Sequence, residues 1–131
     1  MLTWHTGDLE HYAVGWTDWN MVLNEYGGPN HVGNFCDAPI IADTVNQVLH
    51  YQIMYYYLGH FSRFLVRGSV RFGHERTDST ELESTVFGTP DGKTVVILLN
   101  RSDEPISVVF VDGGPSFEDV VLPHSIKTYR Y

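Results

Sequence analysis

Three side chains near the start of the sequence have the chemistry that a sugar ligand requires. Asp18, Trp19 and Asn34 lie in a segment rich in tryptophan, asparagine and glycine that begins with a short apolar run. An indole ring offers a flat apolar face for stacking on a pyranose, together with one N–H donor. A carboxylate and an amide can exchange hydrogen bonds with the sugar hydroxyls. The segment therefore predicts a carbohydrate site that contains these three residues.

Each of these residues also has a structural alternative. Trp19 could pack in a hydrophobic core, and Asp18 could bind backbone N–H groups of its own loop. If residues 13–16 form a buried strand that continues, Trp16 faces the opposite way from Trp19 and is interpreted as a core residue. Residue types alone leave both interpretations of Trp19 and Asp18 open.

Five successive stretches of the sequence carry a resemblance to one known family. They are AVGWTDWNMVLNEYGGPNHVGNF from residue 13, DAPIIAD from residue 37, YYYLGHFSRF from residue 55, PDGKTVVILLNRS from residue 90 and HSIKTY from residue 124. In this order they resemble the C-terminal part of the lysosomal glucosylceramidases, the acid β-glucosidases. The first stretch is similar to the last barrel strand of that family and the loop that follows it.

The resemblance implies a role for each candidate site residue. The family residues that match Trp19 and Asn34 line the glucose pocket, and the one that matches Asp18 lies beside it. The implied reaction is hydrolysis of the β-glucosidic bond of glucosylceramide, or of another β-glucoside, with retention of configuration. His31, Gly33 and the pair Glu25–Tyr26 depart from the family pattern in this loop.

The resemblance also implies the setting of the enzyme. The family requires no metal or other cofactor, and it works with an acidic lipid surface and a saposin-type activator protein. The implied location is the lysosome, which rests on the resemblance alone because the sequence begins without a signal-peptide pattern.

The catalytic carboxylates of the family are not expected in this sequence. Retaining glycosidases use two carboxyl groups about 5 Å apart, one as acid and one as nucleophile. The family places both glutamates on earlier barrel strands, and none of the glutamates here is interpreted as lying at the end of a barrel strand. No residue is given a catalytic role, and the chain alone is expected to be inactive. The alternative function is a non-catalytic β module that binds carbohydrate or a partner enzyme.

Charge and composition exclude several other functions. Sixteen acidic against eight basic residues give a net charge of −8 with neutral histidines, which argues against nucleic-acid binding. Protonation of all seven histidines in acid would bring the charge to about −1, which suits an acidic compartment. One cysteine, Cys36, permits no internal disulfide. His60 and His74 have no metal-ligand spacing and are interpreted as structural.

The patterns predict a mixed α/β part followed by an all-β part. The resemblance implies that residues 1–67 are the last strand and helix of a (β/α)8 barrel with a substrate loop. It implies that residues 68–131 form an antiparallel β-sandwich-like domain that is incomplete, which the regularly spaced short strands also favour. Apolar residues at spacings of three and four predict a helix over residues 53–65, and the first twelve residues are interpreted as the tail of a helix. The predicted strands are residues 13–16, 39–43, 44–51, 69–75, 81–87, 94–99, 106–111, 117–122 and 126–131.

Two local features of the β part give specific expectations. Pro90, Asp91 and Gly92 form a compact turn signal between strand patterns and predict the tip of an antiparallel hairpin. Val95, Ile97 and Leu99 should then face one side of the sheet, with Val96 and Leu98 on the other. The tripeptide that starts at Asn100 is a glycosylation sequon in a predicted turn.

Overall fold

A computed structural model describes residues 4–75 and 81–131, which divide into two compact units. One unit comprises residues 14–59, and the other comprises the residues before position 14 and after position 59. The helices and strands, in chain order, are α1 (Trp4–Glu10), β1 (Val22–Asn24), β2 (Ile40–Asp43), β3 (Val48–Tyr51), α2 (Ile53–Ser62), β4 (Val70–Phe72), β5 (Leu82–Gly88), β6 (Thr94–Asn100), β7 (Ile106–Phe110), β8 (Phe117–Val121) and β9 (Ser125–Arg130).

The unit of residues 14–59 contains a three-stranded sheet in the order β1-β2-β3. β1 pairs with β2 in parallel, and β2 pairs with β3 in an antiparallel hairpin. The predicted strand over residues 44–51 was too long, because residues 44–47 form the hairpin turn. Asp43 organises this turn, since its Oδ1 accepts the N–H groups of Val45 at 3.1 Å and Asn46 at 2.8 Å. A side chain that binds the next backbone groups competes with continuation of the strand.

The predicted buried strand over residues 13–16 was wrong. These residues are irregular, and the first strand of the unit is β1, which begins at Val22. Val14 is fully exposed and Trp16 is 46% exposed, so the interpretation of Trp16 as a core residue was wrong as well. A short apolar run becomes a strand only where a neighbouring strand pairs with it, and none of the described strands pairs with this run.

Helix α2 is the element that the apolar pattern predicted best. It begins at Ile53 as expected and ends at Ser62, three residues earlier than predicted. The Leu65 N–H still bonds to the Phe61 carbonyl at 2.9 Å, so helical hydrogen bonding persists into the following turn. At the start of the chain, where the first twelve residues were interpreted as the tail of a helix, α1 confirms a helix over Trp4–Glu10.

The second unit has the two antiparallel sheets expected of a β-sandwich. One sheet has the order β4-β5-β6-β9, and the other contains β7 and β8. β5 and β6 form the predicted hairpin, whose tip is closed by a 2.8 Å bond from the Thr89 N–H to the Lys93 carbonyl. Gly88 at the end of β5 lies against the Phe72 ring so closely that a Cβ would overlap it. A larger residue at this position would therefore require the Phe72 ring to move.

The core of the sandwich lies between β6 and the two-stranded sheet. Val96 and Leu98 cluster with Val121, and Val108 and Phe110 pack against them. The alternate residues of β6 are also buried, so this strand is covered on both faces. Beside it, Thr128 of β9 hydrogen-bonds to His60 of α2, with Oγ1 2.8 Å from Nδ1. Burial lowers the pKa of His60, which favours a neutral structural histidine.

A polar clip joins the two sheets at one edge. Asp119 on β8 accepts hydrogen bonds through Oδ2 from Lys127 Nζ and from the Tyr129 hydroxyl of β9, both at 2.9 Å. The rings of Phe110, Phe117 and Tyr129 stack alongside. The bond from Lys127 and those from the Val120 N–H and Tyr129 lower the pKa of Asp119 to about 2. The clip therefore keeps its charge at the pH of an acidic compartment.

Replacing Asp119 with asparagine is expected to lower the melting temperature in a pH-dependent way. Because the folded-state pKa of Asp119 lies below its ordinary value of 3.8, its stabilisation is present above that value and is lost as the pH falls toward about 2. Thermal unfolding followed by circular dichroism should show a gap between wild type and variant at pH 5 that closes as the pH approaches 2. The matched control is Glu118→Gln, which removes a charge from the same strand. A gap of constant size across this range would contradict the assignment.

Candidate substrate-binding loop

Asp18 and Trp19 lie in the irregular segment that leads into β1. The Trp19 N–H donates to Asp18 Oδ1 at 2.8 Å, so this carboxylate holds the backbone of its own neighbour. The Trp19 side chain is 75% exposed, which leaves both the ring face and the indole N–H accessible. The structure thus places the two residues together, with Asp18 in the anchoring arrangement that the sequence left open and Trp19 outside any core.

Asn34 lies in the connection between β1 and β2, which comprises residues 25–39. Parallel strands cannot be joined by a tight turn, so this connection has to be long. The Asn34 carbonyl accepts a weak bond from Cys36 Sγ at 3.5 Å. Among the described residues no group hydrogen-bonds to the exposed Asn34 side-chain amide. That amide is therefore available to donate to and accept from a ligand.

The start of the connection is held by Asn24, the last residue of β1. Its Oδ1 accepts the N–H groups of Tyr26 at 3.1 Å and Gly28 at 2.9 Å, and its own N–H donates to the Gly28 carbonyl at 2.7 Å. The Gly27 carbonyl then accepts the Cys36 N–H at 3.2 Å, which closes the loop around Asn34. Gly27 has φ of 76°, and a Cβ there would collide with the Cys36 backbone. Glycine is thus required at this closure.

The far end of the connection is held by Asp37. Its Oδ1 accepts the Ala38 N–H and Gln52 Nε2, each at 2.8 Å. Ala38 is completely buried, and the Gln52 N–H donates to the Pro39 carbonyl at 2.9 Å. Sequence reasoning missed Asn24, Asp37 and Gln52 as positioning residues. The signals that could have found the first two are an asparagine three residues before a Gly-Gly turn and an aspartate before Ala-Pro, while Gln52 has no such signal.

Trp19 and Asn34 are not joined by a hydrogen bond or a ring contact among the described residues. Their convergence on one cleft therefore stays a prediction. Residues 13–16, which were predicted as a buried strand ahead of Trp19, are irregular and provide no strand end for such a cleft. What the structure contributes is a loop fixed at both ends, with an open amide on it and an exposed indole ahead of β1.

Glu25 is the glutamate whose position differs from the sequence interpretation. It follows Asn24 directly and so lies at the end of strand β1. Both of its carboxylate oxygens are engaged by Thr44, with Oε2 2.9 Å from the backbone N and Oε1 2.7 Å from the hydroxyl. Glu83 on β5 forms an ion pair with Arg101 at 3.1 Å. Neither contact supports a role as catalytic acid or nucleophile.

His60 and His74 are both engaged in hydrogen bonds with hydroxyl groups. His74 Nε2 lies 2.6 Å from the hydroxyl of Ser84, as His60 lies near Thr128. In the part of the chain that the structure describes, no group of three His, Cys, Asp or Glu side chains is placed to hold a metal ion. The described helices are also too short or too polar to cross a membrane.

A cavity of about 750 Å³ opens between the two sheets of the sandwich. Aliphatic side chains such as Leu98 and Val108 line it together with the rings of Phe72, Phe110 and Tyr131. Polar side chains, among them Glu75, Asp112 and the His74–Ser84 pair, complete the lining. The alternative of a carbohydrate-binding β module stays a prediction.

Comparison with known proteins agrees with both parts of the chain. Residues 5–65 match the glycosyl hydrolase family 30 TIM-barrel domain, and residues 68–129 match the glycosyl hydrolase family 30 beta sandwich domain. The chain is similar to mouse (Mus musculus) lysosomal acid glucosylceramidase, with 45% identity over 125 residues that cover 95% of this chain and 24% of the mouse protein. It therefore spans about a quarter of the length of this relative.

Two solved structures share the fold. SrfJ from Salmonella typhimurium superposes with a TM-score of 0.81 and 35% identity, over 87% of this chain and 25% of that protein. An endo-β1,6-glucanase superposes with a TM-score of 0.89 over 95% of this chain and 28% of its own length. Its identity of 23% bears on the fold alone. The fold is thus a fragment of a TIM barrel followed by a β-sandwich.

Proposed function

Because the chain belongs to glycosyl hydrolase family 30, we propose that it supplies the substrate loop of a glucosylceramidase-like glycoside hydrolase. The observation that carries the proposal is the connection of residues 25–39, fixed at both ends and presenting the unoccupied Asn34 amide. Trp19, exposed ahead of β1, provides the apolar face that such a loop needs beside it. The bond cleaved is the β-glucosidic bond of glucosylceramide or of a related β-glucoside.

In this function the residues of the chain bind and orient the sugar. The Trp19 ring stacks on the pyranose and its N–H donates to a hydroxyl, while the Asn34 amide donates and accepts at the neighbouring positions. Asp18 holds the Trp19 backbone. Fixing the glucose in one orientation lowers the entropic cost of the reaction.

The chemical steps belong to a carboxyl pair outside this chain. A retaining mechanism requires one acid that protonates the departing oxygen and one carboxylate that attacks C1, about 5 Å apart. Glu25 and Glu83 are engaged with Thr44 and Arg101, and no glutamate of the chain is assigned to either step. Residues 1–67 would contribute the barrel part and residues 68–131 the β-sandwich. A lysosomal location, a saposin-type activator and an acidic lipid surface are the setting proposed for the complete enzyme.

The test is a chimera in which this chain replaces the aligned segment of the mouse enzyme. The chimera is expected to release the fluorescent aglycone of a β-glucoside at about pH 5, because it contains both the loop and a carboxyl pair. The chain by itself is expected to give no release above background. Turnover by the isolated chain, with covalent labelling of one of its glutamates by a cyclitol probe, would overturn the division of roles. A folded but inactive chimera would count against the proposed function.

A further inference from the structure

We propose that Glu25 is a positioning residue that fixes the loop carrying Asn34 through a two-point hydrogen bond to Thr44. Glu25 Oε2 accepts the Thr44 N–H at 2.9 Å, and Oε1 accepts the Thr44 hydroxyl at 2.7 Å. The two residues are 19 positions apart, so this clasp is a tertiary contact. The inference rests on the proposed function insofar as it concerns sugar binding, but the positioning itself can be measured without a ligand.

Strand geometry explains why these two residues meet. β1 and β2 are parallel, with Asn24 paired to Ala42, so their carboxyl ends lie at the same edge of the sheet. Glu25 is the first residue after β1, and Thr44 is the first residue after β2. Glu25 is also the first residue of the connection to Asn34. Tying it to Thr44 therefore sets the direction in which the connection leaves the sheet.

Thr44 is a firm anchor because the turn that contains it is held independently. Asp43 accepts the Val45 and Asn46 N–H groups, and its Oδ2 accepts Asn46 Nδ2 at 2.8 Å. His50 Nε2 lies 3.6 Å from the same carboxylate across the hairpin. These contacts hold the residues on both sides of Thr44 without involving Glu25. The clasp thus joins the start of the long connection to a turn that has hydrogen bonds of its own.

The state of the Glu25 carboxylate fits this role. The hydrogen bonds from the Thr44 N–H and hydroxyl lower its pKa, against an opposing effect of the Asp43 charge. The carboxylate therefore stays ionised, and able to accept both bonds, in mildly acidic solution.

The first measurement uses the isotope-labelled chain and NMR spectra of the Asn34 backbone and side-chain amides. Glu25→Ala removes both hydrogen bonds, and Thr44→Val removes only the bond from the hydroxyl. Both variants are expected to shift the Asn34 signals. Glu25→Gln and Thr44→Ser retain groups that can form both hydrogen bonds, so they should leave these signals close to wild type. The double variant Glu25→Ala/Thr44→Val should add little to Glu25→Ala, because coupled partners are not additive. Unmoved Asn34 signals in Glu25→Ala would overturn the proposal.

A titration with methyl β-glucoside separates this proposal from the proposed function. If the wild-type chain binds the glucoside, Glu25→Ala should weaken the affinity by about threefold to tenfold, with rescue in Glu25→Gln. Binding without any change in Glu25→Ala would refute the clasp and leave the function standing. Shifted Asn34 signals without wild-type binding would support the clasp and count against the function. The amide signals of β3, in the compact unit of residues 14–59, report whether that unit remains folded in each variant.

Discussion

Replacing Trp19 with alanine in the chimera is expected to lower kcat/KM for a β-glucoside by about 10-fold to 100-fold. The ring is 75% exposed in the free chain, so its removal costs the folded state little and the loss falls on the complex with sugar. Steady-state hydrolysis of a fluorogenic glucoside measures the effect, and thermal unfolding should show a nearly unchanged melting temperature. A similar loss is expected for Asn34→Ala, which leaves a sugar hydroxyl without its partner.

Two control variants make the Trp19 result specific. Trp19→Phe retains a flat ring without the indole N–H and should keep a large part of the activity. Asn30→Ala changes another exposed asparagine of the same connection and should have little effect. If Trp19→Ala or Asn34→Ala left kcat/KM unchanged, the assignment of these side chains to the glucose site would be wrong.

Replacing Asn100 with leucine is expected to destabilise the fold by about 3–5 kcal/mol. Asn100 is completely buried at the end of β6, where its Nδ2 donates to the carbonyls of Glu104 at 2.8 Å and Val121 at 3.0 Å. Its Oδ1 accepts the N–H of Ser102 at 2.9 Å and the Ser102 hydroxyl at 2.8 Å. Leucine would leave the buried Val121 carbonyl without this donor and would remove the bonds to Ser102 and Glu104 as well. Urea unfolding of the chain measures the loss.

The same burial bears on the sequon that starts at Asn100. An amide whose donors are both used inside the fold is not accessible for attachment of a glycan, so Asn100 should be unmodified in the folded protein. Ser102→Ala destroys the sequon and is the matched comparison. Protein secreted from a glycosylating host should have the same mass, apart from the substitution, with and without Ser102. A glycan on Asn100 would contradict the buried position of its amide.

The sequence predicted the strands of the sandwich to within a few residues because two local signals agreed there. Strand-like runs rich in apolar and β-branched residues predicted β5 and β6, and the turn residues between them predicted the hairpin tip. Asn100 illustrates the limit of such signals. The tripeptide that starts with it was predicted to lie in a turn, whereas its side chain is buried and hydrogen-bonds to the Val121 carbonyl. The partner is 21 residues away and invisible to a local pattern.

The first unit was harder to predict for the same physical reason. The run at residues 13–16 is apolar enough for a strand, but strands depend on neighbours that a local pattern does not identify. Residues 44–47 contain no residue that is incompatible with a strand. They form a turn because the Asp43 side chain accepts the N–H groups of Val45 and Asn46. In the candidate site, residues such as Trp19 could be proposed from the sequence because their side-chain chemistry suits a sugar. The clasp between Glu25 and Thr44 depended on a parallel strand register that no spacing in the sequence encodes.

The position of β6 between two other strands has a consequence for the chain when it is not folded. Residues 95–99 are five consecutive apolar residues, without charge or proline, and such a segment has a high tendency to stack into cross-β fibrils. In the native sheet β5 and β9 occupy both hydrogen-bonding edges of this strand, so no second copy can add to it. Lys93 and Arg101 flank the segment and act as charged gatekeepers. Aggregation of this protein would therefore start from states in which β9 has detached, and its rate would report how often that last strand opens.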